Sequence, residues 1–262
     1  MKFSPIDAGG ATPLPTPADC AGCRSAKPLK SAITMAFQPI VDIATGSVFA
    51  YEALVRGVDG QSASDVIAGV QPDMIYKFDQ TCRVKAIELA GSLFVPDGDA
   101  KLSINFMPNA VYEPNACIRA SLAAARRVGF DPGRLMFEFT ENERMNDITH
   151  VRRIVDAYRE RGFTTAIDDF GAGYAGLGLL ADLRPDMLKL DMALVRGIDS
   201  SLTRQVIVAG VARMAEALGI GCIAEGIETA AELLTLKAIG IRLCQGYLLA
   251  RPAVEALPVV RL

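Results

Sequence analysis

Short apolar runs alternate with longer runs of helical periodicity along most of this chain, and this alternation constrains the fold more than any other feature. Eight of the apolar runs have the length and composition of buried strands. The predicted strands are Ile33–Ile43, Val48–Val55, Lys101–Phe106, Leu135–Thr140, Thr164–Asp169, Met187–Asp191, Gly221–Gly226 and Leu243–Leu249. The predicted helices are Asp73–Gly91, Asn115–Val128, Asp147–Arg161, Leu202–Leu218 and Thr229–Ile239. Eight strands that alternate with helices predict a barrel.

The connection between the first two strands breaks the pattern. Residues Ala44–Ser47, with the sequence ATGS, are too few for the crossover helix that a parallel pair requires. The first strand must therefore run antiparallel to the second. We predict an α/β fold, a TIM-like (β/α)8 barrel with the first strand reversed, over residues 31–262. A flexible leader is predicted over residues 1–30.

Composition excludes several classes of protein. Hydrophobic residues make up 51% of the chain and charged residues 22%, as in an ordinary globular protein. The net charge of -3 gives no basic field, so a nucleic-acid polymer is not expected as a partner. The long apolar stretch Val206–Ala224 contains Arg213 and Glu216, so no membrane association is expected. The N-terminus lacks the apolar core of a signal peptide, so we expect a cytoplasmic protein whose cysteines are thiols.

The leader contains one motif of its own, the C-x-x-C formed by Cys20 and Cys23. A zinc site would need two further ligands, and the only histidine in the chain is the distant His150. A metal or redox role therefore stays open beside the simpler interpretation of a flexible arm.

Acidic and amide side chains collect where the predicted strands end, and in a barrel these ends meet at one mouth. Eight of them are carboxylates, and the only obvious cations are an arginine and a lysine. The residues are Glu52, Arg56, Asn105, Glu138, Glu141, Asp168, Asp169, Lys189, Asp191, Glu225, Glu228 and Gln245.

Each of these residues also has a simpler local interpretation. Glu141 and Glu228 could cap helices, Arg56 could pair with Glu52, and Gln245 could satisfy backbone groups. Lys189 and Asp191 could form an ordinary ion pair.

Taken together, the acids predict a metal centre. Eight like charges at one mouth would repel strongly, and divalent cations would relieve the repulsion. Oxygen ligands without histidine or cysteine favour Mg²⁺ or Mn²⁺, and so many acids favour two ions. The adjacent Asp168 and Asp169 would let one carboxylate bridge both ions. Two metals beside a lysine indicate hydrolysis of a phosphate ester.

The same residues lie in motifs that resemble those of the EAL-domain cyclic di-GMP phosphodiesterases. The similarity runs from about Met35 to Pro252 and includes the motifs EALVR, FEFTE, DDFGAGYAGLGLLADLRPDMLKLD, AEGIE and CQGY, in the family's order. The resemblance implies hydrolysis of cyclic di-GMP to linear pGpG. Two features depart from the family: GYAGL replaces a serine-rich GYSSL, and the segment between Arg56 and Asp79 is short.

The resemblance also implies a role for each site residue. The implied metal ligands are Glu52, Asn105, Glu138, Asp168, Asp169, Asp191 and Glu225. The implied catalytic residues are Lys189, Glu52, Asp191 and Glu141, with Lys189 acting on the attacking water and Glu141 bracing the loop Asp168–Leu180. The implied substrate-binding residues are Gln38, Leu54, Arg56, Glu228 and Gln245.

Two alternative functions remain open, and an oligomeric state is also expected. The chain could bind cyclic di-GMP without turnover and act through a protein partner, or it could cleave another cyclic dinucleotide. The apolar stretch within Asp168–Leu180 is too hydrophobic for a free loop, and the resemblance places it near a subunit contact. A homodimer through this region is therefore expected.

Overall fold

The computed structural model describes residues 32–108, 111, 114–140, 148–173 and 176–261. The leader with Cys20 and Cys23, and also Glu141, lie outside the described residues, so the predictions made for them stay predictions. The four cysteines in the described part of the chain, Cys82, Cys117, Cys222 and Cys244, are free thiols.

Eight strands close into a barrel. Strands β2 to β8 pair in parallel in sequence order, and β1 closes the barrel by pairing antiparallel with both β2 and β8. A short ninth strand lies antiparallel to β1. The strands are β1 Ile33–Asp42, β2 Ser47–Gly57, β3 Lys101–Asn105, β4 Leu135–Thr140, β5 Thr164–Phe170, β6 Met187–Leu190, β7 Gly221–Ala224, β8 Leu243–Cys244 and β9 Ala253–Val254. The predicted barrel with a reversed first strand is confirmed.

Helices follow the strands and cover the outside of the barrel. The five predicted helices correspond to α2, α3, α4, α7 and α8, and three shorter helices were not predicted. The helices are α1 Ala63–Ala68, α2 Ile75–Leu93, α3 Pro114–Val128, α4 Ile148–Arg159, α5 Gly176–Leu183, α6 Met192–Val195, α7 Leu202–Ala217 and α8 Ala230–Ile239. Within the described ranges, none of these helices has both the length and the apolar character needed to cross a bilayer.

The interior of the barrel is layered. A small apolar cluster, separate from the main core, fills the layer away from the mouth with Ile40, Ala50, Met136, Ala166, Met187 and Ile223. Because side chains alternate along a strand, the residue two positions nearer the mouth faces the same interior. Those residues are Gln38, Glu52, Glu138, Asp168, Lys189 and Glu225. A polar layer therefore rests directly on the apolar one.

Two predictions differ from the structure by more than two residues. The eighth strand was expected to reach Leu249 but ends at Cys244, and the chain then turns so that Leu249 N donates to Gly246 O. The turn brings Gly246 close to the loop that follows β7. A Cβ atom on Gly246 would lie 2.1 Å from Ile227 O. The region Asp168–Leu180 was expected to be a loop, but its last part is helix α5, which buries Leu179 and Leu180.

Candidate active site

Asp168 and Asp169 reach the same site because strand β5 bulges between them. Ile167 pairs with Leu188 and Phe170 with Leu190, so β5 uses one more residue than β6 over this interval. Asp169 absorbs the extra residue with a left-handed backbone, φ 56°, a conformation that aspartate tolerates better than most residues. A regular strand would point the two side chains to opposite faces. The bulge instead brings oxygen atoms of both into one group with Glu225.

Lys189 lies at the centre of the polar layer. Its side chain is 1% exposed, and its Nζ lies 2.7 Å from an oxygen of Glu138 and 2.7 Å from one of Glu225. The same Nζ lies 3.0 Å from Asp168 and 3.5 Å from Glu52. One buried ammonium therefore faces four carboxylates, which leaves the cluster with an excess of negative charge.

Neutral amide side chains hold the carboxylate of Glu52, on β2, in place. Asn105 Nδ2 donates to Glu52 Oε1 at 3.0 Å, and Gln245 Nε2 donates to Glu52 Oε2 at 2.8 Å. Gln38 Nε2 donates to Ala250 O at 3.1 Å. Both oxygens of Glu52 are thus oriented by amides, although Arg56 had been considered as its partner.

The protonation of the cluster reflects its crowding. Burial, opposed by Lys189 and assisted by the other carboxylates, raises the pKa of Glu138 to about 8. Burial and the charge of Asp168 raise the pKa of Asp169 to about 6. Burial alone would lower the pKa of Lys189, but the surrounding carboxylates raise it above the ordinary value for lysine. These surroundings favour the protonated form of Lys189, whereas the acids are short of positive charge.

The carboxylates form two groups whose oxygens converge closely enough to bind cations. One group contains Glu52, Glu138 and Asp168, and the other contains Asp168, Asp169 and Glu225. Within each group the oxygens lie within 4.8 Å of one another, and Asp168 belongs to both. The donors are carboxylate oxygens whose negative charge is only partly balanced by Lys189. Such hard, negatively charged donors fit magnesium or manganese. The residues present therefore fit the metal centre that the sequence predicts.

A pocket of about 230 Å³ opens above the cluster. It is lined by Gln38, Glu52, Asp169, Asp191, Met192, Arg196, Glu225, Gly226, Glu228, Gln245, Gly246 and Tyr247. Asp191 does not pair with Lys189 among the described ion pairs; its Oδ1 accepts from Ala193 N at 2.8 Å and caps α6. At the rim, Arg196 forms an ion pair with Glu228. The N-cap of α8 is Thr229, whose side chain accepts from Glu232 N, and not Glu228.

Two predicted substrate-binding residues lie apart from this pocket. Leu54 lines a different, largely apolar cavity of about 460 Å³ beside β2 and β3, which it shares with Asn105. Arg56 Nη1 donates to Val55 O at 2.7 Å, and the described contacts do not join it to the acidic cluster.

Sequence reasoning missed several residues that shape the site, and three of them have side chains with polar groups. Ser103 donates a hydrogen bond to Glu138, and its position two residues before Asn105 on β3 was the available signal. Arg196 and Tyr247 line the pocket, but they follow the strand ends by several residues. Their place depends on loop geometry that alternation does not encode.

Comparison with known proteins identifies relatives of the whole barrel. A family model described as EAL domain matches residues 26–252. The blue light- and temperature-regulated antirepressor BluF of Escherichia coli is 30% identical over 226 residues, which cover 86% of this chain and 55% of that protein. The cyclic di-GMP phosphodiesterase NbdA of Pseudomonas aeruginosa is 31% identical over 232 residues, 82% of this chain and 28% of that protein. The chain thus spans about half, or less, of the length of these curated relatives.

Solved structures of similar proteins have the same fold. A standalone EAL protein from Vibrio cholerae O395, in a form bound to c-di-GMP, is 50% identical with a TM-score of 0.85, and the match covers 89% of this chain and 98% of that one. BlrP1 of Klebsiella pneumoniae, in a manganese and cyclic di-GMP complex, is 39% identical with a TM-score of 0.78. That match covers 88% of this chain and 57% of the BlrP1 chain.

Proposed function

This chain belongs to the EAL domain family, and we propose that it is a phosphodiesterase that hydrolyses cyclic di-GMP to linear pGpG. The observation that carries the proposal is the cluster of carboxylates around Lys189, in which Asp168 is shared by two groups of cation-binding geometry. The relative named as a cyclic di-GMP phosphodiesterase and the neighbours bound to that nucleotide support the choice of substrate.

We propose two Mg²⁺ or Mn²⁺ ions at these groups. Glu52, Glu138 and Asp168 would hold one ion, and Asp168, Asp169 and Glu225 the other, with Asn105 and Asp191 as further ligands. When bound, such ions stabilise the charge that develops on phosphate oxygens and supply a nucleophile from water at neutral pH.

Lys189 acts in this proposal as a hydrogen-bond donor and not as a base. Its carboxylate neighbours raise its pKa above the ordinary value for lysine, which favours the protonated form of Nζ. A charged Nζ polarises the attacking water, while Glu52 is held by Asn105 and Gln245. Exclusion of bulk water by the buried layer strengthens each of these interactions.

The substrate is proposed to bind in the pocket above the cluster. Gln38, Gln245 and Glu228 line it and offer polar atoms to a guanine edge. Leu54 and Arg56 remain proposed contacts, with Arg56 holding a phosphate, and Glu141 remains a proposed brace for the segment after β5.

A receptor that binds cyclic di-GMP without turnover is the second candidate. The observation that favours it is the relative BluF, whose name describes an antirepressor. The cluster around Lys189 favours the enzyme, because a receptor does not require so costly a burial of charge.

A product assay tests the proposal and distinguishes the two candidates. Purified protein is incubated with cyclic di-GMP and Mg²⁺ or Mn²⁺, and the products are separated by chromatography. We expect pGpG with either metal, none in excess EDTA, and little with Ca²⁺, whose larger and looser shell fits poorly. Tight binding without any product would favour the receptor, and undiminished hydrolysis in EDTA would contradict the metal centre.

Two further properties are proposed with this function. A homodimer is proposed through the region Asp168–Leu180, in which Leu177 at the start of α5 is 64% exposed. The other leucines of that helix are accounted for by burial within one chain. A cytoplasmic location is proposed from the free thiols of the described cysteines, which suit a reducing compartment.

A further inference from the structure

Glu232 is a buried carboxylate on α8 that lies outside the acidic cluster. Glu232 is only 5% exposed, yet it forms no ion pair among the described residues. It stands three residues after Thr229, the N-cap of α8, and the two form a capping box. A capping role explains one of its oxygens but not the other.

The two carboxylate oxygens of Glu232 bind different loops. Oε2 accepts from Glu228 N and Thr229 N, both at 3.0 Å, within the loop between β7 and α8. Oε1 accepts from Gly197 N at 2.8 Å, in the loop between β6 and α7. Burial by itself would raise the pKa of Glu232, but these backbone donors lower it below the ordinary value. One charged group thus joins two loops that are separate in sequence.

Both loops carry residues of the candidate active site. Asp191 and Arg196 belong to the loop between β6 and α7, and Glu225 and Glu228 belong to the loop between β7 and α8. At the base of the loops, Glu225 N donates to Leu190 O at 3.2 Å as a continuation of the sheet. Further out, Gly226 packs against Met192, and the described polar links are the exposed pair of Arg196 with Glu228 and the buried contact of Glu232 with Gly197. The buried link is the stronger of the two, because exposed ion pairs contribute little.

We propose that Glu232 is a positioning residue that fixes the spacing between Arg196 and Glu228 across the mouth of the substrate pocket. It touches neither the cluster around Lys189 nor the pocket itself. Its effect is transmitted by two backbone groups. One is the N–H of Gly197, the residue after Arg196, and the other is the N–H of Glu228 itself. The kinetic part of this inference rests on the proposed function, because it needs the cyclic dinucleotide as a substrate.

Glu232→Gln tests the link with almost no change of volume. A glutamine has one acceptor oxygen, so it can satisfy the donors of only one loop, and its amide group then faces an N–H of the other. We expect the KM for cyclic di-GMP to rise about tenfold while kcat stays within about threefold, since a small displacement of binding groups is costly and the cluster is untouched. Loss of fold alone would lower the active fraction and leave KM unchanged.

The matched control is Asp65→Asn. Asp65 occupies the equivalent N3 position in the capping box of α1 and is exposed, with its described side-chain bonds confined to its own helix start. The control should leave both kinetic constants at wild-type values.

Hydrogen–deuterium exchange supplies a readout that does not need turnover. In Glu232→Gln, amide exchange should rise in residues 191–201 as well as in residues 225–232, whereas Asp65→Asn should affect only residues 62–69. A rise confined to the start of α8, or an unchanged KM in a protein that cleaves the substrate, would overturn the proposal. A wild-type protein that cleaves nothing would contradict the proposed function, while the exchange data would still decide the link.

Discussion

Lys189 is the single residue on which the chemistry depends most. It is buried among four carboxylates, which favour its charged form, and its place two residues beyond Met187 puts it directly above the apolar layer. A lysine in such surroundings stabilises the acids before any substrate arrives. Its removal should therefore affect the chemical step more than the binding of substrate.

Lys189→Met keeps the length of the side chain and removes the charge. We expect turnover to fall at least about a hundredfold, as for loss of a preorganised donor that stabilises charge in the transition state. Binding of cyclic di-GMP, measured by calorimetry with Ca²⁺ to prevent turnover, should stay within about tenfold, or roughly 1.4 kcal/mol.

The control for this change is Lys237→Met, since Lys237 is an exposed lysine in the last turn of α8. It should behave as wild type in both measurements. Turnover of Lys189→Met at the wild-type rate would show that the lysine has no catalytic role.

At the scale of elements, the sequence predicted which strands and long helices exist but not how some of them end. The end of β8 is decided by the close approach of Gly246 to Ile227, a tertiary contact that no local pattern records. Helix α5 was missed because its glycines and short length resemble a loop, whereas buried partners for Leu179 and Leu180 stabilise it.

The candidate site was predictable to a similar extent. Acids at parallel strand ends must meet, so the cluster followed from strand order alone. That both Asp168 and Asp169 face it depends on a bulge, and a bulge requires the pairing of β5 with β6 to be known. Glu232 gave no signal beyond a capping box, because its second partner, Gly197, is 35 residues away.

The proposed homodimer is tested on helix α5. Leu177 is its exposed leucine, so Leu177→Glu should weaken self-association by placing a charge in an apolar contact. Sedimentation equilibrium with metal and cyclic di-GMP present measures the effect. The control is Leu202→Glu on α7, where the leucine is 75% exposed. A wild-type protein that stays monomeric at high concentration, or a Leu177→Glu variant that associates as tightly as wild type, would contradict the proposed contact.

At the scale of the whole molecule, closure of the barrel brings side chains from separate strands into one buried layer. Glu52 on β2, Glu138 on β4, Asp168 on β5 and Lys189 on β6 are far apart in sequence and meet only when the barrel closes. Such a concentration of like charge is destabilising in an apolar interior. Bound cations would offset this cost, so metal binding and folding should be coupled.

The most direct test of the account is the number of Mn²⁺ ions bound by the protein without substrate, measured by equilibrium dialysis. The wild type should bind two ions per chain, and Asp168→Asn should weaken both sites by at least about tenfold, because Asp168 belongs to both groups. Asp156→Asn, an exposed aspartate on α4, should bind like the wild type. Two ions bound by Asp168→Asn with wild-type affinity, or none bound by the wild type, would contradict the metal centre.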